Sequence, residues 1–285
     1  LCMWHSLGVS RVVLARECSL EEITEIRKNI PEDLEIEAFV HGAMCMAHSG
    51  RCLLSSFLTG RDANRGNCAQ ACRWKYSVCE ETRPGEYFPL DETENGTYIF
   101  NSKDLCMIEH IDELVYAGIS SFKVEGRVKT EYYVSCVAKA YREAIDDVFE
   151  DLSLYKRKIP KYMTELLKTS HRDFSTGFYY GRPDASGQNY ETSGYIRNYE
   201  LIGVVRGYDY SRRLIEIEQR NKFVIGDEIE ITEPGKEPET AVITKMYGGD
   251  GKLISAAPHA QMTVFLPFPH PVSRYGFIRR KKNDL

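Results

Sequence analysis

Apolar positions in the first 150 residues alternate between two periods, one of strands and one of helices. Arg11–Glu17 (RVVLARE) reads as a short buried strand. Ser19 follows as a helix cap with Glu22 three positions on, a capping box in which each side chain satisfies the other residue's amide. Ile23 and Ile26 form that helix's apolar face, and Pro31 ends it. Over Leu34–His41, Leu34, Ile36, Ala38 and Val40 face one way and Glu35, Glu37 and Phe39 the other, which predicts a second strand. Ser102 is read as opening a helix with Leu105, Ile108, Ile111 and Leu114/Val115 on one stripe and Gly118 as its stop. A strand over Ser120–Glu125 and a helix from about Glu131 to Phe149 complete the series, with Val134, Val137, Ala138, Tyr141 and Ile145 turned inward. Strand–helix units in succession predict a parallel α/β sheet. A closed (β/α) barrel takes about 250 residues and eight such units. The expected fold over residues 1–190 is therefore the C-terminal part of a TIM-type (β/α) barrel, its first half absent. It is interrupted by an inserted segment, about 45–101, too long for a plain connection. Within the insertion Asn95-Gly96 reads as a hairpin turn.

From about Ser193 the texture changes. Leu201–Val205, Leu214–Glu218, Asp227–Ile231, Ala241–Lys245 and Met262–Leu266 are short and β-rich, and glycines or Pro234-Gly235 separate them. Closely spaced strands with turn signals predict a small β-barrel over 191–285. Arg279-Arg280-Lys281-Lys282 reads as a solvated basic tail and as the local candidate for an RNA phosphate.

Composition narrows the classes. Net charge is −5, from 37 basic and 42 acidic residues, so any nucleic-acid contact must use a local patch. No apolar run approaches the roughly 18–20 residues of a membrane-spanning helix, so no membrane partner is expected. Leu1-Cys2-Met3-Trp4-His5 lacks the basic and apolar segments of a secretory signal. With nine cysteines in a long chain, a reduced, cytoplasmic setting is the expectation, in which clustered cysteines bind metal.

Four of them cluster as Cys45-x6-Cys52-x15-Cys68-x3-Cys72. Four thiolates hold either a tetrahedral zinc or an iron–sulfur cluster. Paired zinc knuckles place cysteines two to four residues apart at both ends, and the first spacing here is wider. Iron–sulfur, zinc and redox-active thiols all stay open on spacing, and Cys79 or Cys106 could replace one ligand. Between and after these cysteines lie Arg61, Asp62, Asn64, Arg65 and Arg73, a group that would offset a thiolate-ligated cluster's charge or bind an anionic substrate.

Further motifs carry a family resemblance. Glu37-x-Phe39-x-x-Gly42-Ala43-Met44-Cys45-x4-Gly50-x-Cys52 and Leu58-Thr59-Gly60-Arg61-Asp62-Ala63-Asn64-Arg65-Gly66-Asn67-Cys68-Ala69-Gln70-Ala71-Cys72-Arg73-Trp74 resemble the collagenase-like peptidases of family U32. Asn101-Ser102-Lys103-Asp104-Leu105, Phe122-Lys123-Val124-Glu125-Gly126-Arg127 and Thr176-Gly177-Phe178-Tyr179-Tyr180-Gly181 resemble the same family, and the likeness runs from about Arg11 to the C-terminus. It implies the branch that hydroxylates a tRNA wobble uridine with prephenate as cosubstrate. Sister branches act on ribosomal RNA or hydroxylate ubiquinone, and carry four-cysteine clusters. A [4Fe-4S] cluster on Cys45, Cys52, Cys68 and Cys72 is what the resemblance implies, with tRNA and a small carboxylate as partners. The terminal module resembles translation-factor barrels.

The remaining candidates come from strand ends. Lys123, Glu125 and Arg127 share one strand face, and three charges there either pair with one another or line a polar mouth. Together with Glu37, they are the candidate catalytic residues. His41 and His48 are weighed as ligands or proton carriers, against a structural role. Proteolysis, the family's namesake activity, needs an activated nucleophile or a metal-bound water. No His-Glu-x-x-His or Gly-x-Ser-x-Gly motif is present, which leaves a Cys45–histidine pair as the alternative, and an inactive binding module as a third reading. An incomplete barrel with open sheet edges predicts self-association.

Overall fold

The computed structural model describes residues 1–45, 52–74, 77–79, 87–89, 102–183, 187 and 195–282. The chain divides into two compact units, one of residues 1–130, 144–163 and 171–196, the other of residues 131–143, 164–170 and 197–285.

The first unit opens with α1 (Cys2–Ser6), β1 (Arg11–Val13), α2 (Leu20–Lys28) and β2 (Glu35–Ala43). The capping box forms: the Glu22 amide donates to Ser19 Oγ at 3.1 Å and the Ser19 amide to Glu22 Oε2 at 2.8 Å. Then come α3 (Leu54–Thr59), the hairpin β3 (Ser77–Cys79) and β4 (Tyr87–Pro89), β5 (Asp104–Cys106), α4 (Ile111–Tyr116) and β6 (Ser121–Val124). Asn95-Gly96 lies outside the described residues. Helices α5 (Glu131–Glu150) and α6 (Leu152–Leu167) precede β7 (Phe174–Ser175). In the five-stranded sheet β1 and β6 flank β2 in parallel, as the strand–helix rhythm predicts, and Ile36, Ala38 and Val40 are buried on one face.

Three expectations change. Ser102 does not open a helix. Residues 41–43 carry β2 past its pairing with β1, which ends at Glu37, and Asp104–Cys106 pairs antiparallel with them, with β7 beyond. Strand-edge amides and carbonyls demand partners, so these residues extend and α4 begins at Ile111. The apolar stripe is buried all the same, Leu105, Ile108, Ile111 and Leu114 being 3% exposed or less. Strand β1 stops at Val13, so Ala15–Glu17 leaves the sheet. On α5 the buried face runs through Tyr133, Cys136, Val137, Ala140, Tyr141 and Ala144, while Val134 and Ala138 are exposed. Strands β1, β2, β5, β6 and β7 form an open mixed sheet, and β3 and β4 pair apart from it.

The second unit holds β8 (Tyr199–Asp209), β9 (Leu214–Gln219), β10 (Phe223–Val224), β11 (Glu228–Thr232), β12 (Glu239–Val242), β13 (Tyr247–Gly248), β14 (Ala256–Ala257), β15 (Thr263–Pro267) and β16 (Phe277–Lys281). Seven of these form one antiparallel sheet in the order β12-β11-β16-β8-β9-β15-β13, over a core that includes Val205, Ile215, Ile217, Ile229, Ile231, Val264 and Ile278. Hydrogen bonding does not join β12 to β13, so the expected barrel is a half-barrel among the described residues.

The basic run is no tail. Arg279 is 0% exposed and inside β16, where Nε and Nη2 donate to Glu230 at 3.0 and 2.8 Å and Nη2 to Glu165 at 2.8 Å. Arg280 pairs with Glu200 and Asp227. A central strand flanked by acids on β8 and β11 claims both guanidiniums, so these two are not available to an RNA phosphate. Among the described residues no helix is long and apolar enough to cross a membrane.

Candidate functional site

The carboxyl ends of β1, β2 and β6 open into a cavity of about 510 Å³ in the first unit. Open α/β sheets bind ligands in such crevices. Leu14, Ala15 and Arg16 follow β1 into it, Ala43, Met44 and Cys45 come from the end of β2, and Glu125, Arg127 and Val128 follow β6. Cys52, Leu54, Ser55, Ala63, Gly66, Cys68, Gln70, Ala71 and Cys72 close the far side. All four cysteines of the predicted cluster thus line one cavity, each partly buried. Cys106 is 6% exposed in β5 and does not line it, which favours Cys72 over Cys106 as a cavity thiol. Cys79's side chain lies outside the described residues.

Backbone amides reach two of the sulfurs. The Leu54 amide donates to Cys52 Sγ at 3.4 Å and the Gln70 amide to Cys68 Sγ at 3.3 Å. Hydrogen bonds to sulfur ligands tune the potential of a cluster. Gln70 takes a left-handed conformation, φ 54°, unusual for a residue with a side chain. Its Oε1 accepts from the Tyr195 hydroxyl at 2.9 Å, and the Tyr195 ring lies 3.9 Å from the Lys129 ammonium. Ser55 Oγ, buried, accepts from the Ala69 amide at 2.9 Å and ties α3 to the Cys68 loop.

Among the described residues, two cations reach the cavity. Arg16 donates through Nη1 to Ala43 O at 2.6 Å, stacks its guanidinium 3.9 Å from the Phe39 ring centroid, and lies 3.5 Å from Glu125 Oε2. Arg127 crosses Gly66 so closely that a Cβ there would sit 1.3 Å from Nη1. Glu125 Oε1 accepts from the Arg127 amide at 2.9 Å. Gly42, at φ 110°, lets this loop approach: a Cβ would stand 2.3 Å from Glu125 O.

Of the sequence candidates, Glu125 and Arg127 line the cavity and Glu37 and Lys123 do not. Glu37 Oε1 accepts from Lys123 Nζ at 2.9 Å and Oε2 from Ser121 Oγ at 2.9 Å. The Lys123 hydrogen bond holds the Glu37 carboxyl below the usual range, against the opposing effect of burial. Lys123 thus pairs with Glu37 of the neighbouring strand and not with Glu125 or Arg127, which stand at the cavity. Arg61, Asp62 and Arg65 also stay out of the cavity. Arg61 Nε donates to Asn67 Oδ1 at 3.1 Å, Asp62 Oδ1 accepts from Ser56 Oγ at 2.9 Å, and Arg65 is 86% exposed. The side chains of Asn64 and Arg73 lie outside the described residues, as does His48. His41 is 1% exposed beside Phe174, and burial pushes its imidazole down to about 3. It does not line the cavity. Arg16, Phe39 and Gln70 were missed; a polar residue just beyond a strand's carboxyl end was the available signal for Arg16.

Among the described residues no three His, Cys, Asp or Glu side chains converge as a site for a metal ion. A single zinc needs four donors about 2.3 Å from one point. A cubane cluster spreads its four irons over a larger volume, and cysteines distributed around a cavity fit that demand better.

The model of peptidase family U32 matches residues 1–189, and the model of that family's C-terminal domain matches residues 197–279. The chain belongs to peptidase family U32. Among U32 relatives, tRNA hydroxylation protein P of Escherichia coli (strain K12) is 36% identical over 97% of this chain and 69% of its own length. tRNA hydroxylation protein P1 of Bacillus subtilis (strain 168) is 37% identical over 98% of this chain and 65% of its own. A relative named collagenase, from Porphyromonas gingivalis (strain ATCC BAA-308 / W83), is 36% identical over 81% of this chain and 57% of its own. The chain spans about two thirds of the length of the first two relatives and less of the third.

Proposed function

We propose that this chain is part of a tRNA-hydroxylating protein whose redox centre is an iron–sulfur cluster, [4Fe-4S], held by Cys45, Cys52, Cys68 and Cys72. The observation that carries the reading is the single cavity these four cysteines line together with Arg16 and Arg127. The two relatives named tRNA hydroxylation proteins, matched over nearly all of this chain, supply the substrate class. A cluster bound there would supply one-electron redox chemistry at a wall of the cavity. The chain's own groups do the rest. The Leu54 and Gln70 amides orient the Cys52 and Cys68 sulfurs, and Val13, Leu14, Phe39, Met44 and Val128 make a wall that limits water. Arg127 is placed to pair with the carboxylate of a small cosubstrate such as prephenate. Glu125 holds the Arg127 amide and faces Arg16, so it orients both cations. The (β/α) barrel belongs to this proposal too, with β1, β2 and β6 as its strands.

The peptidase reading requires a general base beside Cys45. No histidine among the described residues lines the cavity. The test is anaerobic reconstitution with iron and sulfide, followed by metal and acid-labile sulfide analysis. Wild type and Cys106→Ser should take up both, and Cys45→Ser, Cys52→Ser, Cys68→Ser and Cys72→Ser should lose most of them. Zinc bound without sulfide in the wild type would sink the cluster. Nucleoside analysis of tRNA from cells lacking the protein, with and without Arg127→Gln complementation, checks the substrate.

A further inference from the structure

The turn leading into β16 carries Tyr275 at φ 70°, a left-handed conformation that bulky side chains avoid. The backbone leaves it no choice. The Tyr275 amide donates to Val205 O at 2.8 Å, and the Val205 amide donates to Gly276 O at 2.8 Å. Upstream, the Ser273 amide donates to Glu233 Oε2 at 2.6 Å. The turn is thus held by β8 at residues 275 and 276 and by Glu233, just past β11, at residue 273. Glycine or asparagine would sit there with little or no strain, yet the position holds a tyrosine whose ring is 57% exposed and contributes little to the core. Strain kept at a residue that folding does not need points to a use in binding.

The surroundings specify the ligand. Arg274 and Arg206 place their guanidiniums 5.0 and 5.7 Å from the Tyr275 ring centroid. Arg206 is anchored on Glu218 at 2.8 Å, and Arg220 reaches the same carboxylate at 3.1 Å, with Glu131 3.7 Å beyond. Around the turn Arg206, Arg220, Arg274 and Lys236 outnumber Glu131, Glu218 and Glu233, which leaves the platform positive. A solvent-exposed ring beside guanidiniums is an arrangement that binds unpaired nucleic acid, the ring stacking a base and the cations meeting its phosphates. We infer that Tyr275, with Arg274 and Arg206, is a stacking platform for an unpaired base of the RNA substrate. This rests on the RNA reading above and replaces the ion-paired Arg279 and Arg280 as the second unit's phosphate contact.

Fluorescence anisotropy of the chain with a labelled oligouridylate, and with an RNA duplex of equal length at the same salt, tests it. Tyr275→Gly is the decisive variant because it removes the ring and relieves φ together. It should keep or raise the unfolding midpoint while weakening single-strand binding by about 5- to 100-fold, the worth of one base–aromatic stack. Tyr275→Phe should bind as wild type, and Arg274→Gln should weaken binding and flatten its salt dependence by about one phosphate contact. Wild-type affinity in Tyr275→Gly, a lowered midpoint in that variant, or equal affinity for duplex and single strand would each overturn the platform and leave the tRNA reading intact. No RNA binding by the wild type would overturn both.

Discussion

Replacing Arg279 with methionine should loosen the second unit by about 3 kcal/mol, because it strands two carboxylates. Arg279 is 0% exposed, and its partners Glu165 and Glu230 are 12% and 18% exposed. Removing one partner of a buried pair costs about 3–5 kcal/mol, most of it from the charge left behind. Lys168 lies 3.0 Å from Glu165 and 2.9 Å from Glu230, so one cation would still serve both acids, and the lower end of that range applies. Burial opposes ionisation of Glu230, but the Lys168 hydrogen bond and the Arg279 charge outweigh it and hold the carboxyl low. A depressed acid stabilises the fold above its unfolded value and loses that contribution as pH falls through the folded value. The cost should therefore be full at neutral pH and shrink below about pH 4. Hydrogen exchange of β8 and β16 amides is the assay, since 1.4 kcal/mol is tenfold in an opening equilibrium and about 3 kcal/mol is roughly 100-fold. Both tryptophans, Trp4 and Trp74, belong to the first unit, so their fluorescence is an internal control that should not move. Arg279→Lys should fall between, keeping the charge without the fork. Unchanged β16 exchange in Arg279→Met would refute the buried network.

Gly42→Ala combines a backbone conformation reserved for glycine with a Cβ driven into the Glu125 carbonyl at 2.3 Å, and neither backbone can yield cheaply. A loss of roughly 2–6 kcal/mol is expected from strain plus overpacking, read as a lower urea midpoint by tryptophan fluorescence; a wild-type midpoint would contradict it. His41 is held neutral chiefly by burial, with Lys129 and His171 adding to the effect and Asp104 opposing it. Its folded value of about 3 lies below the ordinary 6.5, so the unfolded chain takes the extra proton. Stability should be full above pH 6.5 and fall towards pH 3 at up to about 1.4 kcal/mol per pH unit from this group. His41→Leu should flatten that slope, and identical slopes in the two proteins would refute the assignment.

What could be read from the chain was whatever is decided within a few residues. Ser19 and Glu22 satisfy each other across three positions, Ile36, Ala38 and Val40 alternate because a strand does, and Gly118 ends α4 at φ 83°. That Cys45, Cys52, Cys68 and Cys72 share one cavity was legible for another reason: they already cluster within one segment of the chain. The errors have a common cause. Asp104–Cys106 has helix-like periodicity, but its state is set by the open edge at residues 41–43, some sixty positions earlier. Arg279 finds its counterions 49 and 114 residues away, and Glu37 finds Lys123 86 residues on. Pairing at that range is a matter of sheet register, and a charge considered locally defaults to solvent. Arg61 and Arg65 show the converse, since their neighbourhood to the cysteines in sequence made them attractive as site residues. Yet Ala63 and Gly66 face the cavity, and the cations that reach it among the described residues are Arg16 and Arg127, from the ends of other strands. Gly66 is where the two scales meet: its missing side chain is local information, while the guanidinium that occupies the space comes from 61 residues downstream. A cavity whose sulfurs come from one segment and whose cations come from strand ends can be only half visible before the strands are aligned.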